Sequence, residues 1–149
     1  IEEHFSKFFD NILRDSEYKV ILDSKGLWNT YNISISWNNE KKLFEIHTYI
    51  DNSSKSKGKN SIYQLISNVN EKVNLGHFNY SSKSNSVFFN YKVSVKGQDF
   101  ITIEQVEHFV DIVIEECDKF FPVFYLFFNK KKSPKNAIEI AMLETCGEA

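Results

Sequence analysis

Glu104, His108, Asp111 and Glu115 stand at spacings of 4, 3 and 4, which lines them up along one face of a predicted helix. Carboxylates with one imidazole are a donor set that a divalent cation accepts. The same face lies away from the apolar seam of that helix, where a solvated helix carries charge in any case. Neither HExxH nor an ExxH pairing occurs. No metal and no cofactor is therefore assigned. The Glu104/His108/Asp111 face stays open as an alternative function, that of a metal-dependent protein or enzyme.

Other chemistry is harder to build. His4, His47 and His77 fall on separate elements. There is no GxSxG elbow and no glycine-rich nucleotide loop. Lys55, Lys57 and Lys59, within DNSSKSKGKN, lack the glycine spacing and the GK[ST] of a phosphate-binding loop. Glu115, Glu116 and Asp118 read as a solvated helix face. Cys117 and Cys146 are far apart and outside any CxxC, so they read as two reduced thiols of a cytoplasmic protein. No catalytic residue emerges, and a protein that is not an enzyme is expected.

Charge points the same way. Eighteen basic against 20 acidic side chains leave a net charge of −2, and Arg14 is the one arginine. Strand aromatics such as Tyr31, Trp37, Tyr49, Phe78, Tyr80, Phe88 and Tyr91 could stack single-stranded RNA. That use normally comes with a basic, arginine-bearing surface. They read as core, and no nucleic-acid partner is expected.

The elements that must position these residues follow from periodicity. Phe5, Phe8, Phe9, Ile12 and Leu13 make a helical stripe over 2–15, with no signal-peptide pattern in IEEHFSKFF. Strands are expected at 18–23, 30–37 and 42–50, the second alternating Tyr31, Ile33, Ile35, Trp37 with Asn32, Ser34, Ser36. Residues 51–60 read as a polar loop. Ser61 to Gln64 reads as a capping box opening a helix that Gly76 ends. A second hairpin spans 77–82 and 86–95. Thr102 to Gln105, a second capping box, opens the longest helix. Its seam runs Ile103, Val106, Val110, Val113, Cys117, Phe120, Phe124, Phe127, with Pro122 inside it. Ser133-Pro134 starts a last helix over about 135–146. The order is α-β-β-β-α-β-β-α-α, an α+β fold in which an antiparallel sheet of two hairpin units packs against helices.

From Phe120 to Phe128 every residue is aromatic or aliphatic except Pro122. A membrane-spanning helix needs about 20 apolar residues, so no membrane span is expected. A helix segment apolar all round must still meet something on its second side. An interface is expected there, with the last helix or a second subunit, drawing on Phe120, Phe121, Phe124, Tyr125, Phe127, Phe128, Ile138 and Met142.

In order along the chain, VNLGHF (73–78), VFFNYKVSV (87–95), TIEQVEHFV (102–110) and CDKFFP (117–122) resemble the YbjN family of bacterial sensory transduction regulators. In that family an "LPLG-F" step leads into a strand, a "T-EQ" cap opens the last long helix, and a "D-YYPA" step closes it. KSPKNAIEIAMLETCGEA (132–149) resembles the "KSPEEA…ETVGEA" ending of an alphaproteobacterial branch. The chain departs at FFPVF, where YYPAF is usual, and after Asn129, where a glycine pair often follows. The resemblance implies a fold similar to type III secretion chaperones, which are homodimers that bind partner polypeptides without catalysis. It implies here a single domain over 1–149, a homodimer with an unknown polypeptide partner, and a non-catalytic regulator or chaperone-like role.

Overall fold

The computed structural model describes residues 10–16, 19–38, 40–50, 58–98 and 101–147, with side chains described from 19 to 142 of these. Among the described residues six strands form one antiparallel sheet: β1 (Asp10–Ser16), β2 (Lys19–Lys25), β3 (Thr30–Asn38), β4 (Leu43–Ile50), β5 (His77–Ser81) and β6 (Ser86–Ser94). Their spatial order is β1-β2-β3-β4-β6-β5. Helix α1 (Lys59–Asn70) crosses from β4 to the outer hairpin, and α2 (Ile103–Asn129) and α3 (Pro134–Gly147) follow.

Alternation decides the faces. Tyr31, Ile33 and Ile35 of β3, Phe44, Ile46 and Ile50 of β4, and Val87, Phe89 and Tyr91 of β6 are buried on one side. The pairs Ile33↔Thr48, Ile35↔Ile46 and Ile46↔Tyr91 hold these rows in register. The helices cover that side with Ile62, Leu65, Ile66 and Val69 of α1 and the seam of α2. Phe78, Phe89, Phe120 and Phe124 meet there, with ring centroids 4.8–5.7 Å apart. The edge strand β5 is closed off by a side chain. Asn70 accepts the Phe78 N–H at 2.8 Å and donates to the Phe78 carbonyl at 2.9 Å.

From Lys19 onward the elements and their order are those expected, and the fold is α+β. The first expected element is corrected. Of the helix expected over 2–15, residues 1–9 lie outside the described residues, and Asp10–Ser16 is a strand, pairing Ile12↔Leu22, Leu13↔Ile21 and Arg14↔Val20. The helical stripe drew most of its period from phenylalanines before Asp10. The open backbone edge of β2 is a stronger partner for what remains. The two expected hairpin units are also joined into one sheet through the β4–β6 pairing.

Two caps move as well. Helix α1 starts at Lys59 after Gly58, with no side-chain cap, so Ser61 lies inside the helix. It ends at Asn70, with Glu71 as its C-cap. Gly76 serves the entry to β5 instead. Its φ is +78°, and an added Cβ would come within 2.5 Å of Phe89 Cζ, so only glycine fits. The other two helix starts are as expected. Gln105 N–H donates to Thr102 Oγ1 at 3.1 Å while Thr102 N–H donates to Gln105 Oε1 at 3.0 Å. Ser133 Oγ accepts the Asn136 N–H at 3.2 Å ahead of Pro134. In the polar loop expected at 51–60, residues 51–57 lie outside the described residues.

Candidate functional site

The apolar run at the end of α2 is divided between two surfaces by helical geometry. Phe120, Val123, Phe124, Phe127 and Phe128 turn inward and are buried. α3 packs on α2 through Ala137, Ile138 and Ala141, all buried, with Met142 half-buried against the same core. Phe121, Pro122 and Leu126 are half-buried, and Tyr125 is 45% exposed. Of the residues expected at an interface, Phe120, Phe124, Phe127, Phe128 and Ile138 therefore sit inside the chain, and Phe121 and Tyr125 face outward.

A turn from the sheet completes the outward surface. Between β2 and β3, Gly26 N–H donates to the Asn29 carbonyl at 2.8 Å. This tight turn lifts Leu27 and Trp28 into solvent, at 84% and 61% exposure. Such values are unusual for a leucine and a tryptophan side by side. Trp28, Phe121, Pro122, Tyr125 and Leu126 line one concavity of about 380 Å³.

Asp118 holds the turn against the helix. Its Oδ2 accepts the Leu27 N–H at 3.0 Å, and its Oδ1 accepts the Tyr31 hydroxyl at 2.8 Å. The carboxylate is only 9% exposed, so both bonds lie in a low-dielectric setting. Burial first, and the Asp118 hydrogen bond second, push the Tyr31 phenol far above its usual range. Gly26 is required by the same contact: a Cβ there would come within 2.5 Å of Asp118 Oδ1 and Tyr31 Cε2. Pro122, four residues on, offers no N–H to the Asp118 carbonyl. The end of α2 is closed by its own backbone. Lys130 and Lys132 donate backbone N–H bonds to the Leu126 carbonyl at 3.1 and 3.3 Å, with Lys131 at φ 52°.

The reading of Glu116 and Asp118 as solvated is corrected: both are buried. The helical seam carries them inward beside Cys117. Glu116 Oε1 accepts the Asn74 N–H at 3.4 Å, and Oε2 is enclosed without a hydrogen bond. Cys117 is a free thiol at 0% exposure, and burial raises its pKa, which makes it an inert core group. Glu104, His108, Asp111 and Glu115 are all exposed on the outer face of α2. Among the described residues no group of three such side chains converges to hold a metal, so the alternative metal face is not assembled.

The face of the sheet opposite the helices carries a smaller cluster. The His47 ring lies 4.9 Å from Tyr49 and 4.7 Å from Phe88, centroid to centroid. Asn90 Nδ2 donates to Glu45 Oε1 at 2.6 Å and lies 3.4 Å from His47 Nδ1. Burial lowers the His47 pKa. His77 stands on β5, opposite Asn90. No helix among the described residues is long and apolar enough to cross a membrane.

Leu27, Trp28 and Asp118 escaped the sequence reading as functional residues. The available signal was a large aromatic placed two residues after a turn glycine, where no strand or helix could bury it.

Comparison with known proteins bears on the whole arrangement. No curated protein matches the chain. One similar solved structure is described as "Structure of the HopA1-SchA Chaperone-Effector Complex". The two chains are 9% identical with a TM-score of 0.49, over 76% of this chain and 83% of that one. The pattern of the YbjN family, described as "Putative bacterial sensory transduction regulator", matches residues 10–126, which take in the sheet, the turn bearing Trp28 and α2 as far as Leu126. The chain belongs to the YbjN family.

Proposed function

We propose that the protein is a non-catalytic, protein-binding regulator whose docking surface is the patch of Trp28, Phe121, Pro122, Tyr125 and Leu126. The observation that carries this reading is Trp28 itself. A tryptophan more than half exposed sits on a turn anchored by a nearly buried carboxylate, which accepts hydrogen bonds from the Leu27 N–H and the Tyr31 hydroxyl. A fold gains nothing for its own stability by presenting an indole to water, and tryptophan and tyrosine are the residues that most often anchor a polypeptide partner. The family description supports a regulatory role, and a concavity with aromatic walls suits apolar side chains of a partner segment.

The test is selection of short peptides from a displayed library against the purified protein, followed by binding titrations. Trp28→Ala and Tyr125→Asp are expected to weaken the selected peptides by about thirtyfold or more, the loss of one anchor worth about 2 kcal/mol. Both positions are exposed, so the thermal midpoint should barely change. Peptides that bind these variants as well as the parent would overturn the reading.

A further inference from the structure

The charge of the chain changes sign at the patch. From Glu104 to Asp118 there are six acidic residues and no lysine or arginine; from Lys119 to Ile138 there are five lysines and no acidic residue. Lys119 stands three residues before Pro122, and Lys130, the C-cap of α2, four after Leu126. Eleven residues apart, they fall within about 20° of each other around an α-helix, along the flank that holds Pro122 and Leu126. Lys131 and Lys132 follow beyond the helix, and Lys25 leads into the turn that carries Trp28. All five of these lysines are exposed, and no ion pair ties any of them to a carboxylate among the described residues. Asp118, the acid beside the patch, is committed to the Leu27 N–H and the Tyr31 hydroxyl. Glu115 is exposed one turn before Lys119.

A helix C-terminus attracts cations, but a single charge meets that need. Lys131 also stands at φ 52°, where glycine is at ease and a lysine is strained. Strain kept at an exposed position with no core to pack points to a use for the side chain. On the reading that the patch is the docking surface, we propose that its occupant is a polypeptide segment with acidic residues beside an apolar anchor. The anchor enters the concavity between Trp28 and Tyr125, and the acids beside it meet Lys119 and Lys130–Lys132. A concave site takes an inserted side chain, which the flat surface of an anionic membrane does not offer. Charge then selects among partners: a basic segment with the same anchor is repelled.

The peptides selected from the displayed library are the probe. Their apolar residues are expected to have aspartate or glutamate as neighbours more often than in the unselected library. Asparagine and glutamine analogues of those acids should bind on the order of tenfold more weakly, as should the acidic peptides to Lys130→Glu/Lys131→Glu/Lys132→Glu. Raising sodium chloride from about 50 to about 500 mM should weaken the acidic peptides and leave the amide analogues nearly unmoved. Lys131→Gly separates binding from folding: the thermal midpoint should rise while the acidic peptides bind about threefold more weakly. Selected peptides without acids, or acids that can be neutralised with no loss of binding, would sink the proposal. Loss of those same peptides in Trp28→Ala would still keep the docking surface. Phosphatidylserine vesicles that displace the peptides, and that no longer bind the triple lysine variant, would reject an acidic peptide in favour of a membrane. A selection that yields no peptide dependent on Trp28 and Tyr125 removes the docking surface and its occupant together.

Discussion

Asp118 joins two parts of the chain through one carboxylate, and its removal should be felt in both. Asp118→Ala leaves the Leu27 N–H and the Tyr31 hydroxyl without their acceptor. We expect a loss of about 1.5–3 kcal/mol in urea unfolding, the range for hydrogen bonds to a charged group. We also expect increased acrylamide quenching of Trp28, read in a Trp37→Phe background. Tyr31 adds a pH signature. Its folded-state pKa lies above its ordinary value of 10.0, so its share of stability is complete below about pH 10 and fades as the pH climbs past that point. Tyr31→Phe should flatten this alkaline decline, measured as the thermal midpoint from pH 8 to 11. Lys131 makes the opposite case. A lysine at φ 52° costs on the order of 1 kcal/mol relative to glycine, so Lys131→Gly should stabilise by about that much. The departure from the family's glycine pair after Asn129 was legible in the sequence. That it falls on a left-handed backbone position was not, because the return of Lys132 to Leu126 is a matter of three-dimensional chain path.

At the scale of elements, α2 is a helix with two apolar sides of different meaning. Phe124→Ala, at 1% exposure, should cost about 3–5 kcal/mol. Tyr125→Ala, its neighbour, should cost about 0.5 kcal/mol or less. Near-equal losses in chemical unfolding would contradict this division. The spacing of the seam put Phe120, Phe124 and Phe127 on one stripe, but the expected interface drew on the same three residues, which are buried inside the chain. What the spacing left open was how far the apolar run wraps around the helix, since nine such residues in succession carry no phase. The sheet behaves similarly. Alternation in β3, β4 and β6 was readable, but the company of His47 on the face opposite the helices depends on the β4–β6 register, a pairing across α1 that no local pattern encodes. Burial holds the His47 pKa below its usual 6.5. Its contribution is therefore present above that pH and lost as the pH falls through the folded-state value. His47→Gln should reduce the drop in stability between pH 7.5 and 5.5.

For the whole molecule, the sheet order β1-β2-β3-β4-β6-β5 keeps most neighbours adjacent in sequence, with α1 carrying the one skip between β4 and β6. That simplicity is why hairpins and helices could be laid out from periodicity and caps. The first strand was missed because an edge strand is recruited by its neighbour and needs little pattern of its own. Asp118 was missed for a related reason: a charged residue on a helix reads as solvated until its distant partner is known. The two bonds it accepts span 91 and 87 residues of sequence. Contacts of such separation form late, after loop closure has been met by the growing core. Trp28 can therefore take its final position only when α2 has docked on the finished sheet. In refolding, its fluorescence should be the last signal to settle. Inside a cell, a chain that presents the patch correctly would be one that has completed its folding.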